Sequence, residues 1–91
     1  SFKHQAKQRL KSFNNLTIVA ITASFGKTSI KNYLYQVLNK KFNTYMTPRS
    51  VNTLGGIVKD VNDDLPLQTQ IYIAEAGARQ TGDIEEIALR S

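Results

Sequence analysis

The sequence has no cysteine, no tryptophan, one histidine, one methionine and two prolines. Without cysteine there is neither a disulfide framework nor a thiolate-ligated metal, and a reducing compartment is compatible with the chain. With His4 as the sole histidine, no nucleophile–His–acid set can be assembled; a lone imidazole on a polar helix is read as solvated. No apolar run approaches the ~20 residues that cross a bilayer, and no signal peptide is expected. The expected location is therefore the cytoplasm. Internal repeats and low-complexity tracts are absent from the sequence. Ninety-one residues are enough for one small domain, burying about two-thirds of the surface its unfolded chain exposes. The chain begins at Ser1 and stops at Ser91 within an expected helix, so a piece of a longer protein is expected.

The formal net charge is +5. A basic balance invites a nucleic-acid partner, but the cations are dispersed: Lys3, Lys7, Arg9 and Lys11, then Lys27 and Lys31, then Lys40 and Lys41. No basic stripe is interleaved with aromatic residues, and scattered lysines read as a solvated surface. A nucleic-acid binder would show steeply salt-dependent retention of oligonucleotides.

What the chain does contain is the run Ile18-Val19-Ala20-Ile21-Thr22-Ala23-Ser24-Phe25-Gly26-Lys27-Thr28-Ser29. A β-branched apolar stretch stops at a short loop of mostly small residues, and Gly-Lys-Thr then opens a segment with helical spacing. Backbone N–H groups of such a turn, together with the positive end of the helix, face an anion. Lys27 would reach the outer phosphates, and the Thr28 hydroxyl would bind the magnesium ion that travels with them. The strict eight-residue pattern asks for glycine where Ile21 stands, so the argument rests on strand, turn and helix agreeing. The competing structural reading is an ordinary Gly-Lys helix start with Lys27 in water.

Phe2, Ala6, Leu10 and Phe13 recur at helical spacing, with Asn14-Asn15 as the break. This helix is expected to pack on the following domain or to link to a preceding one. Leu16–Ile21 reads as a strand buried on both faces of a parallel sheet. From Lys27 to about Lys41, Ile30, Leu34, Val37 and Leu38 give a helical apolar face, flanked by Tyr33 and Tyr35. Lys40 and Lys41 fall in its last turn, where cations suit the dipole. Asn43–Thr47 is a short strand closed by Pro48, and a polar, glycine-rich loop runs from Thr47 to Gly56 at the carboxyl end of that strand. Such loops place ligands in open α/β sheets; as plain structure it would supply helix-capping residues. Ile57, Val58 and Val61 predict a helix ending by Asn62-Asp63-Asp64. Gln70–Ala74 is the third strand, running into Glu75-Ala76-Gly77-Ala78. A carboxylate at that strand end, in the sheet that carries a phosphate loop, is placed to hold magnesium directly or through water; the alternative is a solvated strand-end glutamate. A last helix is expected near Asp83, capped by it with Glu86 three residues on. A helix followed by strand–loop–helix three times predicts an α/β, three-layer parallel sheet with right-handed crossovers. A sheet this small, cut from a larger one, is expected to be marginal or to self-associate.

Three stretches carry a family resemblance. Ile21–Ser29 resembles the ATP loop of the Mur ligases, Thr47-Pro48-Arg49-Ser50-Val51-Asn52-Thr53 with Gly56-Ile57 is similar to their substrate loop, and Glu75-Ala76-Gly77-Ala78 with Gly82-Asp83-Ile84 looks like a stretch of the members that add D-alanyl-D-alanine. The resemblance runs from about Thr17 to the end. Ala23 stands where the family has glycine, Ala76 where it has methionine, Asn52-Thr53 where this member often has paired asparagines, and no proline follows Gly56. The resemblance implies the P-loop NTPase-type fold of the Mur central domain, with residues 1–14 as an N-terminal linker helix and 15–91 as the first part of the ATP-binding domain. It implies a ligase of peptidoglycan precursor synthesis that joins D-alanyl-D-alanine to UDP-N-acetylmuramoyl-tripeptide through an acyl phosphate, with ATP and Mg2+ as cofactors. Implied nucleotide contacts are Thr22, Ala23, Ser24, Phe25, Gly26, Lys27, Thr28 and Ser29; Lys27 and Glu75 are the implied catalytic groups, and Thr28 and Glu75 the metal ligands. Ser50, Asn52 and Thr53 would face the muramoyl-peptide. The full enzyme is expected to be a monomer, and this stretch alone to be inactive in ligation. A nucleotide-binding module of the same kind without this specificity, such as an amidotransferase partner, stays open.

Overall fold

The computed structural model describes residues 1–22, 27–48, 51 and 53–76, with backbone alone at 27 and 28. In chain order the elements are α1 (Phe2–Lys11), β1 (Thr17–Ile21), α2 (Lys27–Leu38), β2 (Thr44–Met46), α3 (Leu54–Asp63) and β3 (Ile71–Glu75). Ser1 caps α1, its hydroxyl accepting from the His4 N–H. Beyond that helix Asn15 takes the left-handed conformation at φ 63°, which asparagine tolerates better than most residues. It turns the chain into β1.

The three strands are parallel in the order β1-β3-β2. The last strand in sequence is therefore the central one, and all five of its residues are buried. Its alternation assigns each side chain to a layer. Tyr72 and Ala74 join Ala6, Leu10, Phe13, Ile57, Val58, Val61 and Leu65 in the core beneath α1 and α3. Ile71 and Ile73 pack with Ile21, Val19, Leu34, Tyr35, Leu38 and Met46 beneath α2. Full burial of side chains such as Ile57, Leu65 and Ile73 stabilises each layer by about 1.5–3 kcal/mol per residue. The expected three-strand parallel α/β arrangement is present; the helix expected near Asp83 lies outside the described residues.

Four local expectations are corrected. β1 is an edge strand and only partly covered, with Thr17 exposed and Ile18–Ala20 half-buried. Phe2 is 79 % exposed, so the buried apolar face of α1 is Ala6 and Leu10. α2 ends at Leu38, leaving Lys40 and Lys41 beyond it. Finally, the inward stripe of α2 is Lys31, Leu34, Tyr35 and Leu38, while Ile30 and Val37 are 41 % and 46 % exposed. The stripe is rotated by about one residue because a lysine, which hydropathy assigns to water, is buried.

α1 packs against α3, and Arg9 fastens the pair. Its guanidinium donates to the Val61 and Leu65 carbonyls while lying over the Phe13 ring, 5.6 Å from its centroid. These carbonyls lie at the end of α3, where backbone acceptors lack helical partners. No helix among the described residues is long and apolar enough to cross a membrane.

Candidate functional site

The carboxyl ends of the three strands meet at one edge. β1 and β3 are in register from Thr17 opposite Ile71 to Ile21 opposite Glu75. The ladder continues one step as the Ala76 N–H donates to the Ile21 carbonyl at 3.0 Å. On the other side the Thr47 N–H donates to the Ile73 carbonyl at 2.9 Å. The three segments singled out from the sequence, after Ile21, after Met46 and after Glu75, thus leave the sheet side by side. This is the end at which parallel α/β sheets bind ligands.

Glu75 is the carboxylate at this edge, 7 % exposed, so it is not the solvated strand-end glutamate of the alternative reading. Its backbone N–H donates to the Thr47 hydroxyl at 3.2 Å. Its Oε1 lies 3.6 Å from the Lys31 ammonium and accepts no hydrogen bond among the described residues. Lys31, 2 % exposed, donates instead to the Thr47 carbonyl at 2.9 Å. Lys31 therefore compensates Glu75 by charge while leaving an oxygen lone pair free. Burying a single charge of either sign would be prohibitive; burying them together is tolerable.

Lys31 and Thr47 were missed as site residues by sequence reasoning. Lys31 was grouped with the dispersed lysines, yet its spacing carried a signal: it stands four residues after Lys27 and three and seven before Leu34 and Leu38, on their helix face. Thr47, 1 % exposed, uses its amide and hydroxyl toward β3 and its carbonyl toward α2.

Among the residues implied for nucleotide binding, Thr22 is exposed directly after β1, and Ser29 is exposed in the first turn of α2. Ala23, Ser24, Phe25 and Gly26, and the side chains of Lys27 and Thr28, lie outside the described residues; the backbone of Lys27 begins α2 as expected. Of the three residues implied for the substrate, Ser50 and Asn52 lie outside the described residues. Thr53 is exposed and is the N-cap of α3, its hydroxyl accepting from the Gly56 N–H at 3.1 Å. That hydroxyl already performs a structural task, the capping role weighed as the alternative for this loop.

Would the residues fit a divalent cation? An unbonded carboxylate oxygen in a buried, polar setting is a suitable hard donor. Among the described residues no group of three or more His, Cys, Asp or Glu gathers, so the ligands beside Glu75 would include hydroxyls, phosphates and water. That is the donor set expected of magnesium at a nucleotide, not of a dedicated protein cage. Comparison with protein-family models, curated proteins and solved structures finds no match.

Proposed function

We propose that this chain is the ATP- and magnesium-binding part of an ATP-dependent amide ligase of Mur type. The observation that carries the reading is the placement of Glu75. It is a buried carboxylate with an oxygen that accepts no hydrogen bond among the described residues, level in register with Ile21, the last strand residue before the Gly26-Lys27-Thr28 motif. A phosphate-binding turn and an acidic metal ligand on adjacent parallel strands form the core of phosphoryl-transfer sites. Support for the Mur type, with addition of D-alanyl-D-alanine to UDP-N-acetylmuramoyl-tripeptide, comes from the three motifs read in the sequence.

In this reading the loop amides and Lys27 bind the β- and γ-phosphates, and Thr28 and Glu75 hold the magnesium ion. The ion supplies neutralisation of phosphate charge. Ser50 and Asn52 face the muramoyl-peptide, joined by Thr53 through whatever hydrogen-bonding capacity capping leaves it. The tripeptide carboxylate attacks the γ-phosphorus as ADP departs, giving an acyl phosphate, and the incoming dipeptide amine then displaces phosphate to leave the amide. The work of the protein is positioning and charge stabilisation rather than covalent chemistry.

The test is release of ADP by the protein in the full-length enzyme. It is expected only when ATP, the nucleotide-linked tripeptide and D-alanyl-D-alanine are all present, and Glu75→Gln is expected to lower it by at least about a hundredfold. ADP release indifferent to both acceptors would overturn the ligase reading and leave a nucleotide-binding module.

A further inference from the structure

A cavity of about 590 Å³ runs along α3 beside the start of α1, with Leu54, Gly55, Val58, Asn62 and the exposed ring of Phe2 in its walls. Gly55 is a second sign that something fits there. It lies in the first turn of α3, its φ is not left-handed, and a Cβ at this position would meet nothing within 4 Å. Glycine is the poorest helix former after proline, so neither conformation nor crowding within the chain accounts for it. Close approach of another chain does. On the opposite face of the sheet, α2 carries a helical row of exposed apolar residues, Ile30, Tyr33 and Val37, with Tyr33 67 % exposed. Ile30 to Val37 rises about 10 Å and Leu54 to Asn62 about 12 Å, so row and groove match in length. Anchors at this spacing are how a helix is read by an apolar groove. Charge agrees: α2 holds no acidic residue and is followed by exposed Lys40 and Lys41, and the first acid of the whole chain is Asp60. The groove ends beside Asp63 and Asp64, both exposed, with Asp63 sharing its charge with Lys59 at 3.3 Å.

We propose that α2 of one copy of this chain docks in the α1–α3 groove of a second copy. The two surfaces cover opposite faces of the sheet, so a chain cannot fill its own groove with its own α2. The contact is therefore heterologous, and repeats head to tail rather than closing on itself as a two-fold pair does. With the helices parallel and Ile30 over Leu54 and Gly55, Tyr33 meets Val58 and Val37 meets Asn62. Lys40 and Lys41 then reach Asp63 and Asp64. Neither surface contains a residue assigned to nucleotide or substrate, so this inference and the ligase reading stand or fall separately.

The experiment is sedimentation equilibrium of the chain over rising concentration, with circular dichroism to check that each variant folds. Wild type is expected to show an average mass that climbs past that of two chains. Gly55→Leu fills the groove with a helix-favouring side chain, and Tyr33→Glu places a charge on the α2 row at an exposed position. Each alone is expected to associate at least about tenfold more weakly than wild type, because the groove is filled or a charge must be buried unpaired. Mixed together they are expected to form a one-to-one pair and nothing larger, since Tyr33→Glu keeps an open groove and Gly55→Leu keeps an intact row. Wild type that stays monomeric throughout overturns the proposal, and that result needs no variant to fold. So does Tyr33→Glu or folded Gly55→Leu associating as wild type does. A mixture that remains as monomeric as its components also overturns it, since a two-fold contact through one shared surface would behave that way.

Discussion

Two carboxylates lie buried on opposite sides of the sheet, and the protein treats them in opposite ways. Asp60, on α3 and 2 % exposed, accepts hydrogen bonds from two tyrosines: Tyr45 Oη on Oδ1 and Tyr72 Oη on Oδ2, each at 2.8 Å. The two rings lie 5.7 Å apart at 45° and wall the group in. Glu75, under α2, has a cation nearby but an oxygen with no hydrogen bond among the described residues. Asp60 is satisfied by neutral donors and uses both oxygens in holding α3, β2 and β3 together. Glu75 is balanced in charge but not in hydrogen bonding. A buried polar group left partly unsatisfied calls for a functional explanation; a fully satisfied one is architecture.

The environments also differ electrostatically. Burial raises the Asp60 carboxyl above its ordinary value, with Asp64 adding to the effect, against the lowering by the two tyrosine hydrogen bonds and Lys59. Tyr45 and Tyr72 are both pushed upward, first by burial and then by the adjacent Asp60. The hydroxyls therefore stay protonated and remain donors.

Sharpening this contrast begins with the largest effect. Lys31→Met leaves Glu75 buried without a counter-charge and is expected to destabilise the fold by about 3–5 kcal/mol in urea denaturation. The double variant Lys31→Met/Glu75→Gln should recover much of that; an equal loss in the double variant would show the pair is not coupled. On the other side of the sheet, Tyr72→Phe removes a buried donor from a charged acceptor and should cost about 1.5–3 kcal/mol, without altering nucleotide binding. Tyr45→Phe, at a half-buried position, should cost less, about 1 kcal/mol, in the same measurement. Loss of nucleotide binding in either tyrosine variant would break the division into architecture and site.

Thr53→Ala tests a residue claimed by both. Loss of the α3 cap is expected to lower stability by about 1 kcal/mol, read as a reduced urea midpoint. Unchanged stability would return Thr53 wholly to the substrate side. The smallest effect is a slope with pH. Because the folded Asp60 value is raised, its contribution is fully present below the ordinary value of 3.8 and is lost as pH climbs through the raised one. Thermal unfolding of wild type relative to Asp60→Asn should therefore show wild type losing ground from about pH 4 upward; a relative gain over that window would contradict the assignment.

How much of this was legible in the sequence can be judged residue by residue. The alternation of Ile71, Tyr72 and Ile73, the helix of Ile57, Val58 and Val61, and Glu75 at a strand end were all readable, because period and turn chemistry are local. Ile30 and Val37 misled because the inner face of α2 is settled by what lies beneath it. Counting hydrophobic residues sets Lys31 outside; Glu75 and the Thr47 carbonyl bring it in. Asp60 gave no signal at all, since its two tyrosine partners come from β2 and β3, fifteen and twelve residues away.

The sequence by itself determined the alternation of strands and helices, and with it a parallel sheet whose loops leave from one edge, since these follow from local periodicity and the geometry of crossovers. Only the tertiary structure decided that β3 is central, that Lys31 is buried beside Glu75, and that Asp60 is a joint rather than a reactive group. Each of those depends on which charges and donors are brought together away from water, where a pairing that is nearly worthless at the surface determines whether a side chain can be buried.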